Sequence, residues 1–308
     1  MSLLHVINGS AMLPALQEAR IEGDIIEFAD VLHEGPVPPD DDVGKWIRAR
    51  AEFIAACGWA RPHEVYDQLS GAHAAMTAFR EYDDVILWYE HDLFDQLLLL
   101  RHLAWWWRHA PLDPPSLVSP ADYLGAMTAA ELRTQFDARQ RVTEAQLTLA
   151  AAAWDAFTAP DPHELVRIIE HENVSALPHL PGALIRLLEE YPSKHNGLGR
   201  TEQQILEILA QSPLTREDLF AANARREERV FMGDAVFYLR LRRLHAATRP
   251  LIVRRIDDAP LALTDHGRRV VDGSEDAIVL NGIDRWIGGV HLTGENVWRR
   301  EDHTLVHG

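Results

Sequence analysis

The chain has 308 residues, room for about two domains, and its 47% hydrophobic and 25% charged fractions are those of an ordinary globular protein with a sizeable core. A formal net charge of -17 repels nucleic acid and anionic membrane except where positive charge is concentrated locally. Cys57 is the single cysteine, which excludes an intrachain disulfide and a cysteine metal cluster.

The opening Met1-Ser2-Leu3-Leu4-His5 lacks a basic region followed by a long apolar one, so no signal peptide is read there. The apolar run over 97–107 is broken by Arg101 and His102 and is too short to span a bilayer. A cytoplasmic protein with no membrane partner is the expectation.

In chain order, a short apolar strand over 3–7 ends at Asn8-Gly9-Ser10, and helical spacing follows over 12–19. Gly9 suits the turn, and Ser10 is placed to cap the helix and leave its amides facing a ligand. No G-x-G-x-x-G occurs, so no dinucleotide is implied. A second strand over 25–28 runs into Asp30-Val31-Leu32-His33-Glu34-Gly35-Pro36-Val37-Pro38, where glycine and prolines put His33 and Glu34 in a loop. Helices are predicted over 45–56 and 62–82. The third strand, over 85–89, breaks into Glu90-His91-Asp92, and a helix over 93–108 follows. A weaker fourth strand over 116–118 ends at Ser119-Pro120. Strands alternating with crossover helices predict a mostly parallel sheet covered on both faces.

Beyond Thr128 the pattern is helical over 129–171, divided by Pro160 and Pro162, with another helix over 182–190. Tyr191-Pro192-Ser193-Lys194-His195-Asn196-Gly197-Leu198-Gly199 is the best linker candidate. Thr201 and Gln204 then form a capping box, Thr215 and Asp234 open two further helices, and a hairpin over 251–263 leads to a last helix capped by Thr264. Three helices followed by a hairpin describe a winged helix. The tail over 283–305 reads as a hairpin around Thr293-Gly294-Glu295-Asn296.

The polar residues of the first domain follow the strands: Asn8, Gly9 and Ser10 the first, Asp30, His33 and Glu34 the second, Glu90, His91 and Asp92 the third, Ser119 the fourth. In a parallel sheet these groups share the carboxyl edge, where ligands bind. Asp92 is equally well explained as an N-cap, and His5 as a hydrogen-bonded core histidine. Two chemistries suit the set. His33, His91 and one carboxylate suit a divalent metal, although no H-E-x-x-H spacing is present. Alternatively Glu90 with His33 or His91 forms an acid/base pair for hydrolysis or transfer. No G-x-S-x-G nucleophile elbow occurs.

Residues 200–273 carry 13 lysines and arginines against 11 acids, a net of +2. Arg240, Arg242 and Arg243 on the third helix and Arg254 and Arg255 in the hairpin are the groups that would meet phosphates. The small net charge disfavours duplex binding.

The motifs His5-Val6-Ile7-Asn8-Gly9-Ser10, Asp30-Val31-Leu32-His33-Glu34-Gly35-Pro36-Val37-Pro38 and Leu87-Trp88-Tyr89-Glu90-His91-Asp92-Leu93-Phe94-Asp95-Gln96 together resemble a bacterial family of uncharacterised proteins, domain-of-unknown-function family 1835. The resemblance continues through Asn196-Gly197-Leu198-Gly199-Arg200-Thr201-Glu202 and Arg285-Trp286-Ile287-Gly288-Gly289-Val290-His291-Leu292 and so covers most of the chain. It implies no activity. The family's first turn often carries Asp after its glycine; Ser10 stands there in this chain, which weakens any role that needs a carboxylate at that point.

The sequence therefore predicts an α/β protein: a Rossmann-like domain over 1–125, a helical connecting region over 126–192, a winged-helix-like domain over 200–273, and a hairpin over 280–308 that folds back to bring His291 to the sheet edge. The first functional expectation is a small-molecule site with Glu90, His91, His33 and Glu34 as catalytic groups and Asn8, Gly9, Ser10, Asp30, Asp92, Ser119 and His291 as ligand-binding ones. The alternatives are a ligand-sensing transcriptional regulator and a structural or adaptor protein. Metal and cofactor are left open.

Overall fold

The computed structural model describes residues 2–39, 41–171, 173–254, 260–294, 296–302 and 304–308, with the side chains of His171 and Arg254 outside the description. The chain divides into two compact units, one of residues 1–33 and 37–184, the other of residues 34–36 and 185–308. Among the described residues no helix is long and apolar enough to cross a membrane.

The first unit runs β1 (Leu3–Ile7), α1 (Leu13–Glu18), β2 (Asp24–Glu27), α2 (Val43–Ala56), α3 (Pro62–Thr77), β3 (Asp84–Trp88), α4 (Leu93–His109), β4 (Ser116–Val118), α5 (Ala129–Asp137), β5 (Gln140–Arg141), α6 (Glu144–Thr158), α7 (His163–His171) and the start of α8 (Leu180–Leu188). Its sheet has the order β2-β1-β3-β4-β5, with the first four strands parallel and β5 antiparallel at the edge. Parallel strands joined by helical crossovers fit a Rossmann-like arrangement. The order places β1 between β2 and β3, so the crossover direction reverses between β1 and β3. In sheets of this kind such a reversal marks where ligands bind.

The strands that flank the reversal are apolar throughout because both faces are covered. Every residue of β1 is buried, as are Val85 to Trp88 of β3. On one face Ile7, Ile86, Trp88 and Val118 pack with Met12, Leu16, Leu132 and Phe136. α4 is buried from Leu93 to Trp106 apart from Phe94 and packs against α6, so it is apolar almost all round rather than striped. His5 belongs to this core: its Nδ1 accepts from Trp88 Nε1 at 3.1 Å and its Nε2 meets the Glu22 carbonyl at 3.3 Å. Burial holds its pKa below the ordinary value.

Two local expectations need correction. The first turn is not capped by Ser10: Gly9 stands at the N-cap, Ser10 begins a 3-10 turn over Ser10–Met12, and no side chain caps it. Helix over 129–171 is interrupted by β5, where Arg139 and Arg141 reach Asp84 at 3.5 and 3.2 Å. Those two ion pairs join a charged segment to the sheet edge, and nothing in its hydrophobic pattern announces a strand.

The second unit contains α9 (Arg200–Gln211), α10 (Arg216–Ala224), α11 (Asp234–Ala246), β6 (Ile252–Arg254), β7 (Leu261–Leu263), α12 (Asp265–Val271), α13 (Ala277–Asn281), β8 (Arg285–Ile287), β9 (Val290–Leu292), β10 (Trp298–Glu301) and β11 (Thr304–His307). β6–β7, β8–β9 and β10–β11 are antiparallel pairs. The turn 257–259 and Arg255 of the first pair lie outside the described residues, as does Glu295. The tail is thus two hairpins rather than one. Gly288, at φ 59°, and Gly289 make the first turn, while Thr293 and Asn296 bond each other in the segment that joins the two.

Helix starts differ as well. α9 is capped from Gly199, whose N–H donates to Glu202 at 2.9 Å, so Thr201 lies inside the helix and Gln204 does not reach back. Gly233, not Asp234, precedes α11, whereas Thr215 and Thr264 cap as expected. The expected linker is an ordered loop: Lys194 N donates to Arg300 O and Arg300 N to Pro192 O, both at 2.8 Å, and buried Asn196 bonds Gln203 and Val270 O. The division between units falls upstream, between Leu184 and Ile185 within α8.

Asp30 serves the fold of the first unit. Both its oxygens take a fork from Arg50, Nε at 2.9 Å and Nη2 at 2.7 Å, with both side chains fully buried, and Arg50 also reaches the Val31 carbonyl. This fork occupies the carboxylate assigned above to ligand binding and fastens α2 to the loop after β2. Arg50→Met, which strands Asp30 as a buried charge, is expected to cost about 3–5 kcal/mol in urea denaturation, with much of the loss recovered in Asp30→Leu/Arg50→Met.

Candidate functional site

At the carboxyl ends of β1 and β3 the chain gathers Asn8, Glu90, Asp92, Asp95 and Gln96. Asp92 is the N-cap of α4, its Oδ1 accepting from Phe94 N at 2.8 Å and Asp95 N at 3.2 Å. Asp95 stands in the first turn of the same helix and is fully buried. Its Oδ1 accepts from Asn8 Nδ2 at 2.5 Å and its Oδ2 from Glu90 N–H, so one carboxyl ties the end of β1 to the end of β3. Gln96 donates from Nε2 to the Glu90 carbonyl at 2.6 Å, which fixes the turn from the other side. Glu90 Oε1 accepts from Leu124 N at 2.6 Å.

Electrostatics follow from this crowding. Burial pushes the Glu90 carboxyl up to about 7, Asp92 adds to the rise, and the amides of Leu124 and Gly125 oppose it. Burial holds Asp95 well above the ordinary aspartate value, again with Asp92 adding, while the Glu90 amide pulls the other way. A buried carboxyl that titrates near neutrality can exchange protons with a ligand in either direction.

Among the described residues, Glu90, Asp92 and Asp95 form the one gathering of potential metal ligands, each offering an oxygen within 4.8 Å of the others. Such an all-oxygen set suits a hard divalent cation rather than zinc. The histidine-centred alternative drawn from the sequence is absent from that gathering. His91 is buried and faces Tyr123 at 4.9 Å and His179 at 6.1 Å between ring centroids. His33 is buried edge-on to Phe94 at 6.1 Å.

The remaining candidates divide. Gly9 and exposed Ser10 follow Asn8 in the first turn. Half-buried Ser119 follows β4 and makes no side-chain hydrogen bond among the described residues. His291 stacks on Trp286 at 4.2 Å and 6° and meets Asp284 at 2.8 Å, so its ring is engaged inside the β8–β9 hairpin. Asp95 and Gln96 were missed as site residues. Their signal is an Asp-Gln pair between Phe94 and four leucines in the buried first turns of a mostly apolar helix.

Glu34, expected as a catalytic group, belongs to the second unit, where ion pairs occupy its carboxylate. It is fully buried, ion-paired to Arg240, 3.2 Å from Arg243 and 3.6 Å from Arg285. Glu190 lies beside it, held by Arg186 at 2.8 Å, by Arg240 and Arg285 at 2.9 Å each, and by Thr201. Burial alone would raise Glu190, but Arg240, Arg186 and Arg285 outweigh it and hold the carboxylate well below its ordinary range. Arg240, fully buried and also 2.8 Å from Glu202, spends its charge in this network. Arg242 is exposed; the Arg254 side chain and Arg255 lie outside the described residues.

No protein-family model matches the chain, and no curated protein matches it.

Glu90 holds its proton more tightly in the folded chain than in the unfolded one, so folding takes up a proton between pH 4.5 and about 7. Stability therefore falls as pH rises through that window. Glu90→Gln keeps an acceptor for Leu124 N and removes the penalty. The variant should match the parent at pH 4 and exceed it at pH 8 by about 2–3 kcal/mol in urea denaturation.

Proposed function

We propose that the first unit binds a small molecule in the crevice between the ends of β1 and β3 and acts on it by general acid/base catalysis, as a hydrolase or transferase. The observation that carries this reading is the Glu90 carboxyl, 8% exposed and raised to about 7, at the point where the strand order reverses. Glu90 is the group that moves the proton. Asp95, whose pKa burial raises, keeps Asn8 and the Glu90 backbone in place, and Asp92 raises both carboxyls while it caps α4. His91 lies next to Glu90 in sequence and supplies a second polar wall. In this reading the chain is a member of domain-of-unknown-function family 1835, and its activity would be one exercised across that family.

We read α9, α10 and α11 with β6 and β7 as a winged helix that serves as a packing module. The burial of Arg240 and the pairing of Arg243 with Glu34 count against a regulator that presents α11 to duplex. The burial of Glu90 and His91 counts against a purely structural role.

The test is turnover. The purified protein is incubated at pH 7 with a pooled set of small esters, amides and phosphorylated metabolites, followed by mass spectrometry. The parent should consume at least one member, and Glu90→Gln should slow that reaction by about 10²–10⁴-fold. Consumption unaffected by Glu90→Gln, or no member consumed or bound, would overturn the reading.

A further inference from the structure

The second unit carries a partly open pocket of about 270 Å³ that the acid/base site does not use. Its walls include Leu198, Leu244, Ala247, Leu251, Ala277 and Ile278, and its polar groups are Arg243, Arg285, Glu202, Asn281 and Asp284. Mostly apolar walls with a few convergent polar groups are the usual make-up of a small-molecule pocket. At roughly 30 Å³ per water the space equals about nine waters, enough for a ligand of about ten non-hydrogen atoms. The adjoining helix α13 contributes to this apolar wall without being covered itself. None of its five residues is buried, and Val279 is 81% exposed.

The polar corner has donors to spare. Arg285, 7% exposed, binds the Glu190 carbonyl and carboxylate through Nη1 and Nη2, each at 2.9 Å. Its Nε is buried and has no acceptor among the described residues. Arg243 has one acceptor among the described residues, Glu34 Oε2 at 3.2 Å, and Arg240 and Arg285 draw on the same carboxylate. Glu202 is committed to Arg240 and to the Gly199 amide. A guanidinium offers donors only, so whatever completes this corner must be an acceptor, and an ionised acceptor makes the stronger bonds.

We propose that this pocket is a binding site for a small amphiphilic anion, with a carboxylate or phosphate head on Arg243 and an apolar body against Leu244, Ala247, Leu251 and α13. This proposal is independent of the acid/base reading of the first unit.

The test is calorimetric titration of the full chain with octanoate, octyl phosphate and 1-octanol. At least one anion should bind saturably at one per chain, with octanol at least tenfold weaker; which anion binds tells carboxylate from phosphate. Arg243→Met should weaken binding at least tenfold. Ala247→Trp, which fills the pocket from the end of α11 without touching the ion pairs, should abolish it. If Arg243→Met fails to fold, Ala247→Trp and the octanol comparison decide. Absence of binding by both anions, octanol equal to the anions, or Ala247→Trp binding like the parent would overturn the proposal.

Discussion

One carboxyl fastens the two strands that border the crevice. Asp95 receives the Asn8 side chain on one oxygen and the Glu90 amide on the other, while its own backbone sits in the first turn of α4. Strand β1, strand β3 and the buried helix behind them therefore meet at a group that has little access to water. Burial of this kind favours the neutral form, and it places Asp95 close to two further carboxyls. The raised pKa of Glu90 is part of the same arrangement: the turn that presents Glu90 is held by Asp95 and Gln96, and the helix that follows is capped by Asp92, whose charge adds to the rise. Fold and chemistry thus share one set of hydrogen bonds.

The second unit manages buried charge in the opposite way. Glu34 is ion-paired to Arg240, and Arg240, Arg186 and Arg285 hold the Glu190 carboxylate well below its ordinary range, while Arg243 at the edge of the network keeps donors over. Removing one member of such a network exposes the others to an uncompensated burial cost, whereas the carboxyl cluster of the first unit can neutralise itself by taking up protons. This difference is the reason to look for proton transfer at Glu90 and for ligand anchoring at Arg243.

Much of the first unit was legible in the sequence because its signals are periodic or local. Unbroken apolar strands that end in polar turns identified β1 and β3, and the Asp92 cap is a local pattern that needs no tertiary context. The convergence of Asn8 with Glu90 followed from the parallel topology. Long-range pairings were not legible. Asp30 and Glu34 look alike in their loop, yet one is spent on Arg50 and the other on Arg240, 20 and over 200 residues away. Asp95 read as an ordinary first-turn acid because only the folded chain brings Asn8 and the Glu90 amide to it. The short β5 strand and the double hairpin of the tail depend on ion pairs and on the Gly288-Gly289 turn, which hydrophobic periodicity does not report.

The most direct measurement is the carboxyl carbon-13 titration of Glu90 in labelled protein, assigned by comparison with Glu90→Gln. The account predicts a midpoint near 7, lowered in part when Asp92 is replaced by Asn, with the rise that burial causes remaining. A midpoint near 4.5 in the parent protein would contradict it.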